Sequence, residues 1–479
     1  MTNKFSFVVG GTLSPDHPTY VKRQADTQLL EVCLHHEYAY VLTTRQVGKS
    51  SLMVSTAKTL QERNVSVVQI DLSGSFGRNA TMEEWYFTFV DDVIEQLELS
   101  QEVDDDIEQW WASQHPLPTL KRFERFWRDL VLPHRSEVVI FIDEIDYMLN
   151  YEFKNDFFAG LRFLYNQRKT VPIYKQLTFV LLGTARPETL SDAKNTPFNI
   201  GEWIVVDDLQ LEHCEPFWQA LNEKHPHQGR ILFEDIYDWT AGHPYLTQKL
   251  SQAVFEAPNE QTTTLVERLV DQLFIHNHIS DHNLNFVQNN IISHSLSQEM
   301  LQEYNELLKH EFMPDKGTPA SNYLQLYGLI KKDDNKLWIR NNIYKKVFNQ
   351  GWVAEHLRQR EQERYVELQQ NLEREQLETK RLQQQVATNK TEREALIERY
   401  SSSLWVMVVF LAFIVVGSIA LALGGWSDIA VVGLLGIWGI TFIFVLWYTS
   451  QLKIADSTSS QPDSTTIPLS PSERVSLDH

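Results

Sequence analysis

Cysteine is nearly absent. Cys33 and Cys214 are the only two in 479 residues, so no disulfide framework exists and the soluble part fits a reducing cytosol. Positive charge is also scarce. Lys and Arg number 43 against 63 Asp and Glu, a net charge of −20. As a whole such a chain repels nucleic acid and anionic lipid, and contact with either must come from a local patch. The N-terminus, MTNKFSFVVGG, lacks a charged region followed by a long apolar run and a cleavage site, so no signal peptide is expected.

Two further absences organise the C-terminal part. From Trp352 to Ser403 there is no Pro or Gly, and Glu, Gln, Arg and Leu dominate. That composition predicts a long helix, a stalk over 352–403. Steps of three and four pick out Tyr365, Leu368, Leu372, Glu375, Thr379, Leu382, Val386, Asn389, Arg393, Leu396 and Tyr400. A coiled coil with a polar middle and a single solvated helix both fit this pattern.

Charge of either sign is then missing from LWVMVVFLAFIVVGSIALAL (404–423) and from IAVVGLLGIWGITFIFVLWY (429–448), which GGWSD joins. Each run is about 20 residues, roughly 30 Å of helix, the thickness of a bilayer core. Trp405, Trp426, Trp447 and Tyr448 lie near the ends, where interfacial aromatics belong. A membrane hairpin over 404–449 is therefore expected. Lys390, Arg393, Arg399 and Lys453 flank it, and the turn has no Lys or Arg. The positive-inside bias puts both chain ends in the cytosol, at a bacterial inner membrane. Gly433, Gly436 and Gly439 stripe the second span as packing positions or as filler. The tail, 450–479, is rich in Ser, Thr and Pro, which predicts disorder.

What is present in the first 350 residues is alternation. Apolar strands YAYVL (38–42), VSVVQIDL (65–72), VVIFIDE (138–144) and LTFVLLG (177–183) are separated by helical patterns. This is the signature of an α/β domain with a mostly parallel sheet.

The chemistry lies at the strand ends. TTRQVGKSS follows the first strand and opens a helix, and it ends as a phosphate-binding loop does, with Gly48-Lys49-Ser50. In such loops the backbone N–H groups and the helix dipole cradle phosphates. Lys49 would reach the terminal phosphates and Ser50 would ligate Mg²⁺, with Ser51 beside them. The pattern G-x-x-x-x-G-K-[ST] is broken at its first position by Thr43. That position carries neither charge nor metal, so the loop is expected to bind ATP or ADP despite the change. VVIFIDE supplies Asp143 for the Mg²⁺ shell and Glu144 to orient or deprotonate water.

Four stretches carry a resemblance. They are TYVKRQADTQLL from Thr19, TTRQVGKSSL, LLGTARP, and WTAGHPYLTQ from Trp239. Together they resemble the STAND-type P-loop NTPases of the AAA-related branch, in particular the AAA-like domain of cyanobacterial multidomain proteins, over about residues 5–350. The resemblance implies an ATPase core over 1–207, a helical lid over 208–275 and a winged-helix domain over 276–351. It implies that Arg23 and Asp26 lie near the base, and that Thr184 and Arg186 act as sensors near the γ-phosphate, Arg186 with a catalytic role beside Lys49 and Glu144. It also implies that His243 and Pro244 belong to a G-x-P lid motif. A loop without the first glycine is normal in the subfamily.

The function so implied is a membrane-anchored ATP/ADP switch with slow hydrolysis. It would form a homo-oligomer on ATP binding and answer an unknown protein trigger, in signalling or defence. The rival is a nucleotide-binding membrane scaffold with little turnover. In this family the winged helix can touch DNA. Lys331, Lys332, Lys336, Arg340, Lys345 and Lys346 give a local positive excess over Asp333 and Asp334, but the acidic chain around them makes nucleic acid an unfavoured partner. His276, His278 and His282 have no matching Cys or carboxylate cluster.

Overall fold

The computed structural model describes residues 6–74, 76–77, 79–100, 107–190, 198–258, 264–276, 278–424 and 428–459. The chain divides into two units, Met1–Arg364 and Tyr365–His479.

In the first unit, α1 (Gln24–Leu34) precedes β1 (Ala39–Leu42), and α2 (Lys49–Gln61) follows it directly. β2 (Ser66–Asp71) leads to α3 (Met82–Gln96), whose N-cap Thr81 and Glu84 form a reciprocal capping box. Such a box satisfies two free N–H donors of the first turn. Two short helices, α4 (Ile107–Ser113) and α5 (Thr119–Arg125), lead to β3 (Val138–Asp143). After α6 (Lys154–Gln167) come β4 (Leu177–Gly183), the single-turn α7 (Pro187–Leu190) and the two-residue β5 (Glu202–Trp203).

These strands make one parallel sheet in the order β2-β3-β4-β1-β5. β3 and β4 are buried along their whole length, as central strands covered on both faces must be. Alternate residues supply two cores. Val139, Phe141, Val180 and Leu182 pack with α1 and α2. Ile140, Ile142, Phe179 and Leu181 join an aromatic-rich core with Trp85, Phe89 and Phe157. The outer edge at β2 is blunted by Gln96, whose amide accepts from Gln69 N–H at 2.8 Å and donates to Gln69 C=O at 3.0 Å. A side chain thus occupies backbone groups that would otherwise recruit a strand.

The rest of this unit is mostly helical. α8 (Glu215–Lys224), α9 (Gly229–Thr240), α10 (Pro244–Glu256) and α11 (Leu265–Val270) are followed by α12 (His282–Ser293), α13 (Ser297–Leu308) and α14 (Pro319–Leu326). β6 (Met313–Pro314), β7 (Ile330–Asp333) and β8 (Lys336–Ile339) form an antiparallel sheet in the order β6-β8-β7. The β7–β8 turn places Asp334 and Asn335 at positive φ, where Asn and Asp are the commonest non-glycine residues. α15 (Asn342–Val347) and the start of α16 (Gln350–Ala422) complete the unit.

One hydrophobic core runs from Leu209 to Val353 without a break at 275/276, and it also takes in Phe7 and Val21. The N-terminal segment therefore packs with the helices after 208, although sequence grouped it with the sheet. Periodicity cannot show which core an isolated Phe joins.

In the second unit α16 continues to Ala422, and α17 spans Asp428–Ser459. The heptad residues Tyr365, Leu368, Leu372, Leu382, Val386, Leu396 and Tyr400 are all exposed. Among the described residues, one helix contains a stretch long and apolar enough to cross a membrane, with a mean hydropathy of 2.5 and only 6% of it buried. Leu435–Tyr448 is a shorter apolar stretch. Gly417 lies against Trp438, where an added Cβ would fall 2.8 Å from the indole. Among the described residues, nothing lies within 4 Å of the corresponding position at Gly433, Gly436 and Gly439.

α17 runs on to Ser459, into the segment 450–479 for which disorder is expected. Ser450, Gln451, Leu452 and Lys453 continue the helix. Residues 460–479 and the turn residues 425–427, including Trp426, lie outside the described residues.

Candidate functional site

The strand order decides what meets at the C-terminal ends of the strands. β4 lies between β1 and β3. The loop after β1, the carboxylates ending β3 and the Thr184 that follows β4 are therefore neighbours. Ligands of open α/β sheets bind at this edge.

The loop Thr43–Gly48 is wrapped around its own lysine. Lys49 is buried, and its ammonium donates to Thr43 C=O at 3.3 Å, Thr44 C=O at 3.0 Å and Thr184 Oγ1 at 3.0 Å. Burial pulls its pKa down, opposed by Glu144, Asp143 and Asp146. Gly48 caps α2 in the left-handed region, φ +89°, which favours glycine. Thr43 is not among the residues with positive φ. Its N–H donates to Gly183 C=O at 3.1 Å, prolonging the β1–β4 ladder. Nothing in that backbone requires glycine.

Ser50 Oγ donates to Asp143 Oδ2 at 2.8 Å, and Asp143 Oδ1 accepts from Glu144 N–H at 2.9 Å. Glu144 itself has φ +52°, a left-handed turn that ends the strand. Its Oε2 is buried without a hydrogen-bond partner. Burial, then Asp146, raises its pKa, and Lys49 opposes them. Asp146 Oδ1 accepts from Thr184 N–H at 2.8 Å, which fixes the turn after β4. Lys49, Ser50, Asp143, Glu144 and Thr184 thus form one connected cluster.

A cleft of about 340 Å³ opens over it, lined by Gly48, Lys49, Ser50, Ser51 and Glu144 from the core and by Pro244, Tyr245 and Gln248 from α10. Ser51 also accepts from Leu13 N–H at 2.9 Å, tying the N-terminal segment to the loop. Pro244 opens α10, and its missing N–H costs nothing at that position. Gly242, two residues earlier, approaches Leu209 so closely that a Cβ would lie 2.0 Å from its carbonyl oxygen. That contact is a physical reason for glycine in the G-x-P segment.

Other predicted residues sit off the wall. His243 is buried behind it, with Nε2 3.4 Å from Tyr344 Oη. Burial, reinforced by Arg340, pushes its pKa down to about 3. Arg23 lies under the loop and donates to Val47 C=O at 2.6 Å and Asp207 C=O at 3.2 Å. Asp26 accepts from Arg23 N–H at 2.9 Å. Arg186 precedes α7, and its carbonyl accepts from Thr189 and Leu190 N–H. Neither Arg23, Asp26 nor Arg186 lines the cleft.

Sequence reading missed Val8, Gly10, Gly11, Thr12, Arg45, Gln46, Tyr245 and Gln248, all of which line it. The Gly10-Gly11 pair was the one local signal available.

The family described as "AAA-like domain" matches residues 8–350. This chain belongs to that family. The chain is similar to part of an uncharacterized WD repeat-containing protein of Synechocystis sp., 33% identical over 367 residues, 73% of this chain and 30% of that protein. The chain thus spans under a third of that relative's length. Among solved structures, the Walker-type ATPase of Pyrococcus abyssi is similar with a TM-score of 0.49 and 16% identity, over 70% of this chain and 97% of that one. The ORC2 protein of Aeropyrum pernix is similar with a TM-score of 0.42 and 12% identity, over 74% and 96%.

Proposed function

We propose that the chain is a STAND-type, ATP-hydrolysing conformational and assembly switch held in a membrane by its C-terminal helices. One observation carries the nucleotide reading. The adjacent residues Lys49 and Ser50 bond two neighbouring strand ends, Lys49 to Thr184 and Ser50 to Asp143, beside a Glu144 oxygen that is buried and unpaired. The donor set fits a Mg²⁺–nucleotide. Gly48 and the N-terminal N–H groups of α2 suit phosphate, Lys49 suits its terminal charge, and Ser50 with Asp143 offers oxygens to a hard cation.

Bound ATP supplies the phosphoanhydride bond, and Mg²⁺ neutralises its charge. The protein's part is positional. Lys49 presents its positive charge at the cleft wall. Glu144, its proton affinity raised by burial, takes a proton from water. Thr184 holds Lys49 in line.

The helices α12–α14 followed by the β7–β8 hairpin support a winged-helix reading of 276–351. The exposed apolar stretch of α16 supports a membrane anchor, the uncharged run 429–448 in α17 a second span, and the flanking Lys and Arg residues cytosolic chain ends. The exposed heptad face of α16 supports self-association. Calorimetry and turnover test the core of this. Lys49→Ala should abolish ATP binding in a folded protein. Glu144→Gln should bind ATP yet turn over about 100-fold or more slowly. Unchanged affinity in Lys49→Ala refutes the site.

A further inference from the structure

Among the described residues, Arg45 is the one charged residue of the cleft wall with no part in the cluster above. It sits in the loop itself, exposed, and its guanidinium lies 5.0 Å from the ring centroid of Phe286 on α12. The same side chain lines the cleft with Lys49, Ser50 and Glu144. It therefore stands between two partners, an aromatic face on α12 and the place where phosphate would bind.

α12 touches the cleft at a second point. Its N-cap, Asp281, is buried. Oδ1 accepts from Asn283 and Leu284 N–H at 2.9 Å each, and Oδ2 accepts from Tyr245 Oη at 2.9 Å and Lys249 Nζ at 2.5 Å. Tyr245 is itself a wall residue. Near its middle α12 meets the start of α16, where Trp352 Nε1 donates to Gln288 Oε1 at 3.3 Å. The helix is thus bonded to the cleft on one side and to α16 on the other.

We infer that Arg45 is a ligand for the terminal phosphate of a nucleoside triphosphate, and that it releases Phe286 to act as one. This rests on the nucleotide reading of the cleft. An exposed guanidinium over a half-buried ring is held only modestly. A guanidinium paired with phosphate makes two parallel charge-assisted hydrogen bonds, a stronger arrangement that lysine does not reproduce. Given both partners, Arg45 goes to phosphate. A diphosphate, lacking the outermost group, leaves it on Phe286. Triphosphate then loosens α12 at Phe286, and diphosphate does not.

The test uses the full chain, a non-hydrolysable ATP analogue and ADP. By calorimetry, Arg45→Ala should lose about tenfold or more in affinity for the analogue and change little for ADP, with Arg45→Lys between. By hydrogen exchange, the amides of His282–Ser293 should exchange faster with the analogue than with ADP in the wild type. In Phe286→Leu the two nucleotides should give the same exchange. Equal losses for both nucleotides in Arg45→Ala, or identical α12 exchange in the wild type, overturn the inference while leaving the site intact. Failure of the wild type to bind either nucleotide overturns both.

Discussion

Gly328, between α14 and β7, is where the helical body of 209–353 presses on the phosphate loop, and Gly328→Ala measures that contact. An alanine Cβ there would stand 2.6 Å from Thr44 Oγ1, 3.1 Å from Thr44 Cγ2 and 3.1 Å from Arg340 Nη1, at a φ of +81°. Two terms add. A non-glycine residue in the left-handed region costs about 1–2 kcal/mol, and an unaccommodated methyl in a packed contact costs about 1–3 kcal/mol more. Gly317 separates them, because it has φ +62° and nothing within 4 Å of an added Cβ. Gly317→Ala should therefore cost about 1–2 kcal/mol, and Gly328→Ala about 2–5 kcal/mol. Adding Thr44→Ala removes two of the three close atoms. The Gly328→Ala/Thr44→Ala pair should show a favourable coupling of about 1 kcal/mol. Urea unfolding followed by tryptophan fluorescence gives all four values. If Gly328→Ala costs no more than Gly317→Ala and the coupling vanishes, these helices do not rest on the loop in solution.

Asp208→Asn should destabilise by about 3–5 kcal/mol, because it strands a buried Arg340 held at 2.7 and 3.1 Å without its counter-charge. Burial opposes both charges, yet each partner holds the other ionised. The apolar double variant Asp208→Leu/Arg340→Met should therefore cost less than either single change in the same urea assay. His243 has its pKa pushed down to about 3, so the fold keeps it neutral while the unfolded chain protonates below about 6.5. Stability is whole above that value and falls as pH drops toward 3. Between pH 7 and 5.5 His243→Asn should flatten the urea-midpoint slope by about 1 kcal/mol, and an unchanged slope removes His243 as the cause. A cysteine at Ser427, with Cys33 and Cys214 replaced, should react with an impermeant thiol reagent in intact cells, and one at Ser459 should not. The reverse pattern overturns the proposed orientation.

Short-range chemistry was legible in the sequence. Gly48-Lys49-Ser50 and Asp143-Glu144 stand out because phosphate and Mg²⁺ impose residue types at fixed spacings, and the apolar runs of β1 to β4 because buried parallel strands need them. What needed three dimensions was adjacency. No local pattern tells that β4 enters between β1 and β3, and hence that Thr184 reaches Lys49. The wall residues Tyr245 and Gln248 come from a helix about 200 residues beyond the loop, and Phe286, which meets Arg45, from another. Their side chains are ordinary for amphipathic helices, so only packing reveals them. Arg23 shows the opposite case. Its motif was visible, but its position under the loop was not.

The answer to the missing first glycine follows from the same contacts. A phosphate loop must present N–H groups inward while its carbonyls point elsewhere and find donors. Here the donors are supplied from outside the loop's own glycine content. Arg23 takes the carbonyl of Val47 and approaches that of Gly48 at 3.4 Å, and Lys49 takes those of Thr43 and Thr44. Thr43 is fixed by Gly183 across the ladder. Left-handed backbone is confined to Gln46 and Gly48. A loop braced in this way keeps its curvature with threonine at the first position. The cost moves instead to Arg23, whose burial works against its charge and which no smaller side chain can replace as a bridge from α1 to two consecutive carbonyls.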